Sequence, residues 1–331
     1  MLKGKHRVYF FLILVFALLI PFAVKSAFYV NVFILILLFA YLSSCWNILG
    51  GMAGQHSFGH ALFFGIGAYT SSLLFVHYGL TPWVTMWIGA LLAGLMGLFI
   101  GYLSFKYGMK GIFFLMVTIS FAEIFKIIFF SVESLGGASG INIPFHNRAL
   151  DFQFSDKMYY YYTALGMFLG ILALTRYLKV NRVGYYFLAI RENEDAARTL
   201  GIHILRYKLI ATVISAFFTS LAGTFYAQYF LYIDPVTVFG VPHSIEIVIF
   251  AVVGGEGTVL GPLLGSIVLV PASEFMRVYL SESFKGANLI AYGALLVFTM
   301  IFMPQGIMGY LRRFRAERTR KEEVIFEPFK G

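Results

Sequence analysis

Three long stretches of this chain, residues 8–24, 28–48 and 82–105, contain no charged residue at all. A helix needs roughly 20 apolar residues to cross the hydrocarbon core of a bilayer. In lipid the backbone must satisfy its own hydrogen bonds, so runs of this kind fold as helices. The whole chain of 331 residues is 60% hydrophobic and only 12% charged, too little charge to cover a soluble surface. Alternating segments of about ten residues, the mark of a membrane barrel, are absent. The expectation is an all-α polytopic membrane protein.

Further apolar runs fall at 57–78, 111–133, 158–178, 207–231, 244–257, 259–277 and 287–309. Together they predict a bundle of about ten transmembrane helices (8–10), some broken or re-entrant. The run 244–257 is short and ends among glycines, which suits a half-helix or part of a re-entrant pair. The segments between runs are too short for a core of their own. One transmembrane domain over residues 1–310 is expected, with a basic tail at 311–331. The second apolar run follows Val8–Val24 almost at once, so that first run is expected to be an uncleaved crossing.

The net charge of +9 is clustered. Lys3, Lys5 and Arg7 open the chain. Lys179, Arg182, Arg191, Arg198, Arg206 and Lys208 lie in and around the segment 179–208. Arg312, Arg313, Arg315, Arg318, Arg320 and Lys321 follow the last run. The positive-inside rule places all three regions, and so both termini, in the cytoplasm. Glu317, Glu322 and Glu323 interrupt the tail, which fits anionic lipid headgroups better than nucleic acid. The loop 134–157 has no positive excess and is expected outside, with its glycine-rich part at 134–142 a connector or a contact for a partner. Cys45 is the single cysteine, so no disulfide framework or cysteine metal site is possible.

One stretch is charged and helix-shaped: Arg191-Glu192-Asn193-Glu194-Asp195-Ala196-Ala197-Arg198-Thr199-Leu200-Gly201. Asn193 is a good N-cap, and Glu194 and Asp195 then sit in a first turn that favours negative charge. Arg198 stands four residues after Glu194, the spacing for an ion pair. Gly201 can take the left-handed position that ends a helix. About two turns of helix are unstable alone. Ala196 and Ala197 would let a partner approach, with Leu200 as an apolar anchor. A solvated loop between two crossings is the plainer alternative.

Two glycine-rich interruptions could line a pathway. In the first, Gln55, His56, Ser57 and His60 stand among glycines at the entry to a crossing. His56 and His60 are expected on one helix face, with no carboxylate nearby to complete a metal site. The alternative is a polar-capped helix start. The second interruption, Val253–Gly265, includes Gly254, Gly255 and Glu256, with Pro262 suited to the first turn of a new helix. Glu246 precedes it. Two breaks, one in each half, are the pattern of a transporter built from repeats. Glu123 lies near the middle of a crossing with Lys126 one turn on, either a self-neutralising pair or a pathway lining. Glycines spaced by four at Gly97/Gly101, Gly166/Gly170 and Gly261/Gly265 permit close helix packing. No phosphate loop, His-Glu-x-x-His or Gly-x-Ser-x-Gly motif occurs.

The segment Asp195-Ala196-Ala197-x-x-x-Gly201 resembles the EAA loop of ABC importer permeases, with Asp in place of Glu. Nearly the whole chain resembles the branched-chain amino acid ABC transporter permeases of the LivM type. The resemblance is carried by residues 54–70, 189–202 and 208–265, the last including Ser244-Ile-Glu-Ile and Val253-Gly-Gly-Glu-Gly-Thr-Val-Leu-Gly-Pro. The chain departs from the pattern at His56 and Phe58, where smaller aliphatic residues are common, and at Glu256, where a non-polar residue is.

The resemblance implies a multi-pass subunit of a bacterial cytoplasmic (inner) membrane importer. It implies a second, homologous permease subunit of the LivH type, two ATPase subunits that use ATP and Mg, and an extracytoplasmic substrate-binding protein. No cofactor is expected on this chain. The usual substrates are branched-chain amino acids, with other amino acids, amides or urea carried by relatives. Arg191, Glu194, Asp195, Ala196, Ala197 and Gly201 are then the ATPase-coupling residues. Gln55, His56, His60, Glu123, Glu246, Gly254 and Gly255 are the candidates for the pathway. A self-sufficient secondary transporter or channel is the first alternative, and an intramembrane enzyme the second. For the enzyme no histidine has a carboxylate at a usable sequence spacing.

Overall fold

A computed structural model describes residues 15, 17–21, 26–280, 293–294, 297, 301 and 306–311. Most of the expected runs 8–24 and 287–309, the basic N-terminus and the tail after residue 311 lie outside these residues. Helix α1 (Ala27–Asn47) continues into a wider π-helical turn at Ile48–Met52. Helices α2 (His60–Tyr78), α3 (Pro82–Lys106), α4 (Ile112–Ser131) and α5 (Lys157–Val180) follow. Two short helices, α6 (Arg182–Glu192) and α7 (Glu194–Thr199), precede α8 (Ile204–Phe230). Then come α9 (Pro235–Phe239), α10 (Val241–Gly255) and α11 (Gly261–Leu280). Among the described residues, six helices are long and apolar enough to cross a membrane: α1 with its turn, α2, α3, α4, α5 and α8. The protein is a multi-pass membrane protein of helices.

Most boundaries lie close to those expected from the apolar runs. The expected crossing 57–78 begins only at His60, because residues 53–59 are irregular. Pro82 sits at the start of α3, where its missing N–H costs nothing. Asp156 caps α5 by accepting from Met158 N at 2.9 Å. Helix α10 has 15 residues. That is about 22 Å of helix against roughly 30 Å of hydrocarbon. The chain has already entered the bundle before α10 begins. Phe239 of α9 is fully buried, 5.4 Å from the ring of Tyr69 and 4.9 Å from that of Phe129.

Helix α1 is apolar on every side and is buried on nearly every side, the expected place for such a helix. Its Trp46 is fully enclosed, and the indole N–H donates to the Ser57 carbonyl at 2.8 Å. Helix α2 crosses α8 backbone to backbone. A Cβ on Gly67 would overlap the Ser220 carbonyl, and one on Gly223 the Phe64 carbonyl. Of the spaced glycine pairs, Gly97/Gly101 pack on α8 and Gly261/Gly265 on α10. Gly166 and Gly170 have nothing within 4 Å of a Cβ position among the described residues. Helix α4 buries a single line of residues, Phe114, Thr118 and Ala122.

The loop after α4 is ordered by a small antiparallel ribbon. Strand β1 (Ile141–Asn142) pairs with β2 (Tyr232–Ile233), Ile141 opposite Ile233. Trp83 at the start of α3 stacks on Phe152 at 4.2 Å and donates to the Ala149 carbonyl at 2.9 Å. The loop thus covers the bundle end opposite to α6 and α7.

Candidate functional site

At the other end, three segments distant in sequence converge on α6 and α7. Helix α6 packs through Gly184, Phe187 and Ile190, one face of three-residue steps. Arg191 follows, and although much of its side chain is exposed, its Nη1 donates to the Gly51 carbonyl in the π-helical turn. The same guanidinium fills the place where a Cβ of Gly257 would stand. A Cβ on Gly54 would lie 3.0 Å from Arg191 Cγ. Gly54 and Gly257 also have φ of 70° and 72°, in the left-handed region that favours glycine.

The two glycine-rich breaks therefore meet. Asn47, fully buried at the end of α1, clamps them together. Its Oδ1 accepts from Gly257 N at 2.8 Å, and its Nδ2 donates to the Thr258 carbonyl at 2.9 Å. His56 Nε2 lies 2.8 Å from Glu256 Oε1. The Glu256 hydrogen bond, partly offset by burial, raises the His56 imidazole above its ordinary value. Because the folded-state value is the raised one, the pair stabilises fully below the unfolded value of about 6.5. That contribution fades as pH rises through the folded value. In Glu256→Gln the His56 titration is expected to move downward, as followed by NMR of labelled histidine. An unmoved titration would show that the pair does not form.

Two sequence expectations are corrected here. His56 and His60 do not share a helix face, since His56 precedes α2 in irregular backbone. A histidine does stand beside a carboxylate, which the separation of 200 residues between His56 and Glu256 concealed. Short spacings bring such pairs together too: His146 lies 3.1 Å from Asp151, five residues on in the loop at the opposite end, and His243 lies 3.9 Å from Glu246, three residues on along α10. His56 and Glu256 thus supply each other's partner across the two breaks.

His60 is fully buried, with Nε2 2.7 Å from Ser215 Oγ. Ser215 gives its only proton to the Cys45 carbonyl at 2.8 Å, so His60 Nε2 must be the donor to Ser215. Its Nδ1 has no partner among the described residues. His60 thus fastens α2 to α8 inside the core. Gln55 is also buried and donates to the Ala53 carbonyl at 3.1 Å. Gly254 and Gly255 end α10, Gly255 with φ of 124°. The remaining pathway candidates pair on their own helices: Glu123 with Lys126 on α4, and Glu246 with His243 at 3.9 Å on α10. No cluster of three or more His, Cys, Asp or Glu residues that could hold a metal occurs among the described residues.

In α7, Asn193 caps as expected, its Oδ1 accepting from Asp195 N at 2.9 Å and Ala196 N at 3.0 Å. Gly201 has φ of 80° just beyond the helix end. Glu194 does not pair with Arg198. It turns inward to Lys208 of α8, which is 3% exposed, and to Lys110 at 3.1 Å. Burial would raise the Glu194 carboxyl, but Lys208 and then Lys110 outweigh it and hold it below the ordinary value. Ala197 is buried, while Asp195, Ala196, Arg198 and Leu200 are exposed. Leu200 is 78% exposed, and Tyr185 and Leu188 of α6 are exposed as well. Asn47, Lys110 and Lys208 were missed in the sequence. Asn47 left one signal, an amide just ahead of a glycine pair at the end of an apolar run.

Comparison with known proteins follows the same line. The family model described as the branched-chain amino acid transport system permease component matches residues 28–303. The high-affinity branched-chain amino acid transport system permease protein LivM of Escherichia coli K12 is 30% identical over 93% of this chain and 76% of its own length. LivM of Salmonella typhimurium LT2 is 29% identical with the same coverage. The permease protein LivH of Escherichia coli K12 is 32% identical over 43% of this chain and 44% of its own length. No solved structure matches the chain.

Proposed function

The chain belongs to the permease component family of branched-chain amino acid transport systems, and from that premise we propose how it works within an ATP-driven importer. It is a transport permease and not an enzyme. It carries a branched-chain or related amino acid across the bacterial cytoplasmic membrane by alternating access. The bundle has about ten crossings with both termini in the cytoplasm, as the basic clusters imply. Residues 1–310 form the one membrane domain and 311–331 a basic tail on the membrane surface. An extracytoplasmic binding protein delivers the solute, and two ATPase subunits supply the work with their own ATP and Mg. No cofactor is held by this chain.

The observation that carries this reading is the α6–α7 element. It lies outside the long spans, presents bare apolar side chains at Leu200, Leu188 and Tyr185, and is tied inward to the bundle. An uncovered apolar strip on a short charged element is a surface for a protein partner. The coupling residues divide by direction. Asp195, Ala196 and the Gly201 turn face outward toward an ATPase groove, while Arg191, Glu194 and Ala197 face the bundle and anchor the element.

Helix α4 supports a second permease subunit. Lipid cannot face its half-exposed Glu123–Lys126 pair at low cost. A homologous subunit, with the solute pathway along the seam, gives that pair a polar setting. Glu246, Gln55, His56, His60, Gly254 and Gly255 complete the proposed pathway and its supports. Purification of the intact complex followed by vesicle reconstitution tests the reading. ATP-dependent uptake is expected only when both permeases, the ATPase subunits and the binding protein are present. Uphill uptake by this chain alone would overturn the proposal.

A further inference from the structure

The end of α1 leaves carbonyls without intrahelical donors, and these carry partial negative charge. Gly51 is one of them, and its donor comes from Arg191, 140 residues away. On its other side the guanidinium lies against Gly257, in the turn between α10 and α11. A Cβ on Gly257 would also stand 2.9 Å from the Gly51 carbonyl, so the two backbones nearly touch around this one cation. Asn47 bonds the same turn from the α1 side, and His56 pairs with Glu256 beside it. Both interruptions of the membrane helices are therefore drawn together at a single point. The side chain at that point belongs to neither of them, but to α6.

The α6–α7 element is fastened separately to the rest of the bundle. Glu194 binds Lys208 of α8 and Lys110 before α4. A movement of α6 and α7 thus acts on α8 and α4 through Glu194. It acts on the ends of α1 and α10 through Arg191.

We infer that Arg191 is the positioning residue by which the α6–α7 element holds the two backbone breaks in contact, closing an inner gate made by Asn47, His56, Glu256 and Gly257. The inference rests on α6–α7 being the coupling element, and it adds the direction in which the coupling runs. Displacement of α6 withdraws the guanidinium from Gly51. The Gly51 carbonyl then loses the cation that faces it, the Asn47 and His56–Glu256 contacts are left to hold the breaks without it, and the gate parts. Lysine cannot fully replace the function, because a flexible point charge does not reproduce a planar guanidinium that bonds the Gly51 carbonyl while packing against Gly257.

The test uses the complete complex in vesicles, with solute uptake and ATP hydrolysis measured together. In Arg191→Ala the ATPase subunits still co-purify, and solute accumulated per ATP hydrolysed falls at least tenfold. Arg191→Lys recovers only part of that ratio. A second readout places spin labels at Phe58→Cys and Leu260→Cys, one on each break and neither in the gate, in a Cys45→Ala background. With Arg191 present, the label separation differs between the nucleotide-free and ATP-bound complex. With Arg191→Lys or Arg191→Ala, the difference is reduced or lost. An unchanged ratio of uptake to hydrolysis, or an unchanged switch in label separation, overturns the inference. So does loss of the ATPase subunits in Arg191→Ala, which would assign Arg191 to the docking face. Absence of ATP-driven uptake in the unsubstituted complex would instead refute the importer reading itself.

Discussion

Leu200→Asp is expected to release the ATPase subunits from the permease and to reduce ATP-driven uptake to background. Leu200 is 78% exposed at the end of α7, beyond any contact that the fold needs. Burial of a leucine against a partner is worth about 1.5–3 kcal/mol. An aspartate in the same contact would also have to be desolvated. A loss of about 3 kcal/mol lowers the association constant roughly 150-fold. The folded permease should be unaffected, since substitutions at exposed positions commonly change stability by less than about 0.5 kcal/mol. Co-purification and direct binding of the ATPase subunit measure the effect, and thermal unfolding provides the control. Leu200→Met should bind nearly as well as the unsubstituted chain. Full binding by Leu200→Asp would remove α7 from the contact.

Glu194→Ala is expected to act the opposite way, by loosening the element from its own bundle. Lys208 is buried, and Glu194 is its ion-pair partner. Removal of one member of a buried pair costs about 3–5 kcal/mol, because the remaining charge is left uncompensated. The variant should unfold at a markedly lower temperature in detergent. Glu194→Ala combined with Lys208→Met should recover most of the loss. If the single variant is as stable as the parent, the pair is not structural. The Glu194 carboxyl lies below its ordinary value, so its contribution is full above the unfolded value of about 4.3. It is lost as pH falls through the lowered folded value. Acid should therefore weaken the parent more than the double variant.

What could be foreseen from the chain alone was whatever physics acts over one or two helical turns. Apolar length marked the crossings, Asn193 and Gly201 marked the ends of α7, and Gly254 and Gly255 marked a break. The partners of charged groups could not be foreseen. Glu194 had Arg198 at an ideal spacing, yet took the buried Lys208, with the exposed Lys110 beside it, because a pair out of water is less screened than an exposed one. The reach of Arg191 to Gly51 and of His56 to Glu256 depends on how whole helices lie side by side. A single sequence carries periodicity, but it does not say which faces meet. The pathway candidates show the same limit. His60 looked like part of a polar entrance, and its hydrogen bond to Ser215 makes it a fastener between α2 and α8.

Helix α4 commits one line of residues, Phe114, Thr118 and Ala122, to the interior of its own chain. Much of the rest of its circumference owes little to the folding of this polypeptide. Substitutions there answer to whatever lies alongside. Foldability is thus inscribed on one side of the rod, and the other side stays open to whatever adjoins it.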